Sequence, residues 1–258
     1  MLTHRRTQFL FAKIVIVLLL LDWQFGLPWW AYLLALLAYI SIVAWGSYSI
    51  RSGFFMKTTC LGPPEKNAIA ITFDDGPLAA YTPKVLGILE AHDVKAAFFC
   101  IGHRIQGNEA LLKKMVAEGH LVGNHSFSHH FWFDLFSKKK MVEDLLQASE
   151  AIEKATGLRP AFFRPPYGVI NPNLKSAIES CGFHTIGWSI RSLDTVVGDK
   201  EKLMQRVMDQ LKPGAIVLFH DHGKMTLEIL PEFIRAARAK GLRIVPLDEL
   251  INIEPYAY

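Results

Sequence analysis

Residues 71–77 read "ITFDDGP". The run from Ala68 to Phe73 is apolar and favours a strand, and it stops at two adjacent carboxylates, Asp74 and Asp75. Gly76 and Pro77 follow at once. Side chains alternate faces along a strand, so neighbouring aspartates cannot both continue a buried one. Two like charges side by side at the end of such a strand demand a chemical reason.

Beyond this run, apolar strand-like segments recur at 95–100, 120–124, 161–164, 183–188, 215–219 and 243–247. Helical patterns lie between them near 82–92, 109–118, 138–156, 173–181, 201–211 and 227–241. Gly119, Gly157, Gly182 and Gly241 stand where C-terminal cap glycines stand. Alternation of this kind predicts an α/β fold with a mostly parallel sheet, and about seven βα units suit a barrel missing one unit. Function in such folds gathers at the carboxyl ends of the strands. The unusual polar residues do fall there: Asp74 and Asp75, then "NHSFSHH" at 124–130, "RPPYG" at 164–168, "IRSLD" at 190–194 and "HDH" at 220–222.

His125 and His129 are four apart, a spacing that on a helical turn lets both imidazoles reach one ion. Asp75 is the natural third ligand, giving two histidines and a carboxylate with positions left open. Zinc is the default divalent metal for that set, and iron(II) fits it too. His130 breaks the spacing and is read as a neighbouring or exposed residue. A metal lowers the pKa of its water from about 15.7 toward about 7, and the free neighbour Asp74 can take the proton. Gly76 would let the chain turn tightly beside the substrate, and Pro77 would fix the exit. Asp221 and His222 receive no role.

The first fifty residues are different in kind. Residues 9–21 are almost wholly apolar, and residues 28–45 carry no charge. A membrane span needs about 20 apolar residues. The second segment qualifies outright, and the first qualifies if Lys13 snorkels near one end. Trp23, Trp29, Trp30 and Trp45 lie at the edges, as interfacial aromatics do. A signal peptide competes, but "DWQFG" after Leu21 offers no small-residue cleavage pattern. Arg5, Arg6 and Lys13 on one flank, with Arg51 and Lys57 on the other, favour a hairpin with both ends in the cytoplasm; a single anchor would place the rest outside. The expected division is membrane segments over 1–57, a Gly/Pro linker over 58–67 and a catalytic domain over 68–250, in an integral cell-membrane protein.

Net charge is only +4, and the densest basic run, "SKKK" at 137–140, opens a helix. Neither points to nucleic acid. Cys60, Cys100 and Cys181 form no CxxC pair and no disulfide framework.

Over about residues 66–250 the chain resembles the polysaccharide deacetylase family, carbohydrate esterases with a chitooligosaccharide-deacetylase (NodB) homology domain. The motifs that carry the resemblance are "TFDDG" at 72–76, "HSFSH" at 125–129, "RPPYG" at 164–168 and "LFH" at 218–220, in that order. The resemblance implies a distorted (β/α)7 barrel and metal-dependent removal of N-acetyl groups from an acetylated glycan. Carried onto this sequence, Asp74 is the general base, and Asp75, His125 and His129 hold the metal. Arg164 pairs with Asp74, the backbone N–H of Tyr167 assists the oxyanion, His220 is the general acid, and Leu218 lines the acetyl pocket. The fourth motif departs from the usual Asp-x-x-Asp-Trp: residues 191–195 read "RSLDT". Asp194, expected to orient His220, remains. Arg191 and Thr195 replace the first aspartate and the tryptophan, and Trp188 is available to replace the lost wall. Three other readings stay open: a lipid-linked sugar as substrate, O-acetyl ester hydrolysis, and a non-catalytic carbohydrate-binding relative.

Overall fold

A computed structural model describes residues 2–257. Two helices come first, α1 (His4–Phe25) and α2 (Trp29–Tyr48). The remainder alternates: β1 (Ala68–Asp74), α3 (Thr82–Ala91), β2 (Ala97–Cys100), α4 (Glu109–Ala117), β3 (Leu121–Asn124), α5 (Lys138–Thr156), β4 (Arg159–Pro160), β5 (Phe162–Phe163), α6 (Pro172–Cys181) and β6 (His184–Thr185). Then come β7 (Ile190–Arg191), α7 (Lys200–Gln210), β8 (Ile216–His220), α8 (Lys224–Ala239), β9 (Arg243–Ile244), α9 (Leu247–Ile251) and β10 (Tyr256–Ala257).

The strands run β6-β5-β3-β2-β1-β8-β7, all parallel, with β9 added beside the start of β1. This is a curled sheet with helices outside, a distorted (β/α)7 barrel left open between β6 and β7. The hydrophobic pattern explains why it curls. Along β1, Ile69, Ile71 and Phe73 face outward into a helix-covered core with Phe98, Val217, Phe219 and Phe233. The alternate residues Ala68 and Ala70 pack on the other face with Phe99, Phe162 and Ile216, where Leu247 and Leu250 of α9 also pack. On β1 the inward residues are small, which leaves room for Phe99 of β2 and Phe162 of β5 inside the barrel. Side-chain period fixes register, since a one-residue slip would exchange the two faces. In that register Asp74 is the direct partner of His220 on β8.

The apolar run at 183–188 does not form the single strand expected of it. Only His184 and Thr185 pair with β5; the chain then leaves the sheet, and Ile190 and Arg191 form β7 against β8. Between β6 and β7 the backbone pairs with the 58–67 stretch and Arg164 instead: the Gly187 N–H donates to the Thr59 carbonyl at 2.9 Å, and the Gly187 carbonyl accepts from Arg164. Thr59 bridges Ile186 and Leu61 bridges Ala215, so part of the 58–67 stretch is woven along the open edge. β10 pairs with β4 at residues beyond 250.

Each of α1 and α2 is long and apolar enough to cross a membrane, and almost none of their side chains is buried. The turn between them is tied by Asp22, whose carboxylate accepts from the Leu27 N–H and the Tyr32 hydroxyl. Phe11 and Tyr39 stack across the pair at 4.5 Å.

Candidate active site

The site is assembled from the carboxyl ends of β1, β3, β5, β7 and β8. Its adjacent carboxylates are explained by the backbone. Asp74 ends β1 in extended conformation, whereas Asp75 takes φ 77°, a left-handed turn costly for a residue with a Cβ. That turn breaks the strand alternation and lets both carboxylates line one cleft of about 190 Å³. Ser126, His129, Tyr167 and Leu193 are also left-handed, each on a loop at this end of the barrel. Gly76, expected to let the chain turn tightly beside the substrate, also packs closely on a side chain. A Cβ there would lie 2.3 Å from Asp221 Oδ2, so the glycine makes room for a buried carboxylate.

The two aspartates have different partners. Asp74 Oδ1 accepts from Arg164 Nη1 at 2.7 Å. Arg164 is fully buried and is held on every side. It donates to the Thr72 hydroxyl and to the carbonyls of Ile186 and Gly187, and it lies over the Phe99 ring at 4.1 Å. The guanidinium therefore stitches the open seam and anchors Asp74 with the same five-donor fork.

Asp74 Oδ2 also comes within 3.9 Å of His125 Nε2, but Asp75 lies closer to the histidines. Its carboxylate lies 3.5 Å from His125 Nε2, 3.3 Å from His129 Nε2 and 3.1 Å from His222 Nε2. Burial alone would raise this carboxyl, but the contacts from His125 and His222 and the nearby imidazole charges outweigh it and hold it well below the usual range. Burial, together with the His125 charge, lowers His129 to about 4.

Asp75, His125 and His129 offer ligand atoms that all lie within 4.8 Å of one another. The donor set fits a cation on a second ground. His125 Nδ1 sits 2.8 Å from the Arg164 carbonyl, which can only accept, so Nδ1 carries the proton. Nε2, 3.5 Å from the Asp75 carboxylate, is then the nitrogen placed to bind a divalent cation held between them. The same carbonyl contact fixes the ring's orientation, as in other histidine metal sites.

The two histidines do not stand on a helical turn as expected. Residues 125–130 form an irregular loop. Asp144 of α5, a buried carboxylate 19 residues after His125, accepts from the N–H groups of Phe127 and Ser128. Asn124 Oδ1 accepts from the Ser126 N–H, and Ser126 Oγ from the His129 N–H. These side-chain bonds replace the helical ladder and still bring the rings to 4.9 Å between centroids.

His220 is oriented from behind. Its Nδ1 lies 2.7 Å from Asp194 Oδ1, and its backbone N–H donates to Asp194 Oδ2 at 2.7 Å. Ser192 and Thr226 hydroxyls complete the carboxylate's partners. Burial opposes a charged His220, but the hydrogen bond and charge of Asp194 prevail and raise it. Asp194 moves oppositely: burial would raise it, and His220 holds it down. With Nδ1 engaged, Nε2 is the nitrogen free for chemistry.

The remaining expected residues sit on the cleft walls. Trp188 packs over Gly168, where a Cβ would meet its ring at 2.5 Å. Tyr167, Trp188, Arg191, Thr195 and Leu218 all line the cleft. Sequence reasoning missed His222. Its signal lay in the "HDH" triplet after β8, but only the fold brings it to Asp75. Asp221 beside it is buried, and burial, despite the Thr82 hydrogen bond, pushes its carboxyl up to about 7.

Comparison with known proteins agrees with this architecture. Residues 61–186 match the polysaccharide deacetylase family. A peptidoglycan-N-acetylglucosamine deacetylase of Bacillus cereus is 36% identical over 195 residues, covering 74% of this chain and 91% of the relative. The crystal structure of the peptidoglycan N-acetylglucosamine deacetylase Bc1960 superposes with a TM-score of 0.73 at 30% identity, covering 78% of this chain and 95% of that one. BA3943 of Bacillus anthracis, described as a pseudoenzyme of carbohydrate esterase family 4, superposes with a TM-score of 0.69 at 30% identity, covering 75% and 68%. The barrel, the ordered motifs and these likenesses together place the chain in the polysaccharide deacetylase family.

Proposed function

We propose that this chain is a metal-dependent hydrolase that removes N-acetyl groups from an N-acetylglucosamine-type glycan. The observation that carries the proposal is the division of labour between two adjacent carboxylates: Asp74 on Arg164, Asp75 among histidines, both beside a His220 held by Asp194. Likeness to a pseudoenzyme makes these residues, rather than the fold, the ground for assigning activity.

Asp75, His125 and His129 would hold the metal, and two imidazoles with a carboxylate suit zinc. A divalent cation supplies Lewis-acid polarisation of the acetyl carbonyl and acidity to water at neutral pH. Asp74, fixed by Arg164, takes the proton of the attacking water. The Tyr167 N–H receives the developing oxyanion. Nε2 of His220 gives its proton to the sugar nitrogen as the C–N bond breaks, leaving acetate and a free amine. Leu218 and Trp188 enclose the acetyl methyl. The chain division into membrane segments over 1–57, a linker over 58–67 and a catalytic part over 68–250 belongs to the same proposal, with the hairpin anchoring the protein in the cell membrane.

His129→Ala tests the ligand set. It should lower zinc affinity by more than the roughly 10–100-fold typical of losing an outer-sphere partner, and acetate release should fall to background. Zinc bound stoichiometrically with unchanged affinity, measured by metal analysis after gel filtration, would remove His129 from the set.

The pH profile tests the acid. His220 is raised above its ordinary value of 6.5, so its protonated form is fully present below that value and is lost only as pH climbs through the raised one. The alkaline limb of kcat/KM should therefore lie above that of an ordinary histidine. Asp194→Asn removes the stabilising charge and should move the limb to lower pH. A limb that stays in place would assign it to another group.

A further inference from the structure

Outside the hairpin, the exposed large apolar side chains among the described residues are Leu61, Phe131, Trp132, Leu135, Tyr167 and Val196. All but Leu61 stand on loops at the mouth of the barrel: after β3, after β5 and after β7. Soluble surfaces scatter such residues singly, and their concentration at one end marks a contact surface. Leu135 and Val196 are aliphatic and offer no ring to stack on a sugar.

The hairpin leaves the domain at this same end. Ile42 and Val43 of α2 pack against a cluster of Ile50, Phe54, Phe55, Cys60 and Ile170. Trp188, a wall of the catalytic cleft, packs against that cluster too. The Ile170 N–H donates to the Ser47 carbonyl at 3.0 Å, tying the last turn of α2 to the loop that carries Tyr167. Gly46 is buried where a Cβ would strike the Phe54 ring at 2.2 Å, so the helix end is closely fitted rather than loosely tethered. Trp45 and Tyr48, both exposed, mark the interfacial level of this end of α2. The apolar rim is thus continuous with the helices that would cross the bilayer.

From this continuity we infer that the mouth of the barrel faces the head-group layer of the membrane that holds α1 and α2, and that the substrate is an N-acetylated sugar carried on a membrane lipid. The inference rests on the deacetylase reading above and on α1 and α2 being retained spans. The bond cleaved is the same amide C–N bond, with water giving acetate and a free amine on the lipid-carried sugar. Arg191 supports this class of substrate. It lines the cleft and is exposed, its guanidinium lies 5.7 Å over the Trp188 ring, and no carboxylate pairs with it among the described residues, so its hydrogen-bond donors are available to a phosphate-linked carrier.

Two measurements on the full-length protein in lipid vesicles test this. The first compares wild type with the triple variant Phe131→Ser, Trp132→Ser, Leu135→Ser on two substrates: N-acetylglucosamine linked by phosphate to a polyprenyl lipid, and a soluble N-acetylglucosamine oligomer. Acetate release from the lipid-linked sugar should fall about tenfold or more, since apolar contact with the interface is lost. Release from the soluble oligomer should stay within about twofold, as for ordinary surface changes. Equal losses on both would make the rim a glycan-facing or structural surface, and no loss on either would make it idle; each overturns the inference and spares the deacetylase reading. If wild type cleaves neither substrate, that reading falls and the lipid-carried substrate falls with it. Orientation is then decided independently of activity. The part of the tryptophan emission removed by Trp132→Phe should be quenched by lipids brominated near the acyl carbonyl and shielded from acrylamide in water. Quenching by acrylamide alone would turn the mouth away from the bilayer.

Discussion

Asp74→Asn is expected to lower turnover by about 10²–10⁴-fold, the usual contribution of a positioned general base. The asparagine keeps the size of the side chain, and its carbonyl can still accept from Arg164 Nη1, so the barrel interior stays packed. Metal content should be unchanged, because Asp75 rather than Asp74 lies within 3.3–3.5 Å of the histidine pair. Acetate release and metal content measured on one preparation separate the two aspartates. Near-normal turnover would end the base assignment, and loss of metal with turnover would move Asp74 into the ligand set.

Arg164→Met should produce the largest loss of stability. The guanidinium is fully buried, and four acceptors depend on it: Asp74, Thr72 and the carbonyls of Ile186 and Gly187. Methionine fills much of the volume but donates nothing, leaving the Asp74 carboxylate buried without its cation. Breaking one side of a buried pair costs about 3–5 kcal/mol. At roughly 2–4 °C per kcal/mol for a domain of this size, Tm should fall by about 6–20 °C, read from a thermal melt in detergent. Adding Asp74→Asn removes the stranded charge, so the double variant should be more stable than the sum of the singles implies. A Tm within a degree or two of wild type would show that the seam closes without Arg164.

Much of this was legible in the sequence because it is encoded locally. β1 and β8 are continuous apolar runs ending in polar residues, and α5 begins after a serine cap and ends at a left-handed glycine, as its pattern predicts. Asp75, His125 and His129 could be grouped because each follows a strand end. What could not be read is what tertiary contacts impose. The 125–129 loop is shaped by Asp144, which no local signal links to it. The split of 183–188 into β6 and a departure goes with the pairing of Thr185 and Gly187 to Thr59, a contact between distant stretches. His222 reaches Asp75 only because Asp75 turns left-handed. The seating of α2 against the cleft wall through Ile170 and Trp188 has no signature in hydropathy, which reports that a helix can enter a membrane and not what its end touches.

The most direct test of metal-dependent deacetylation uses the full-length protein in detergent, stripped with chelator and offered N-acetylglucosamine oligomers. Acetate release should be absent from the stripped protein and return as zinc reaches one equivalent. Release that persists without metal, or a stripped protein that takes up no zinc at all, would contradict the site built here from Asp75, His125 and His129.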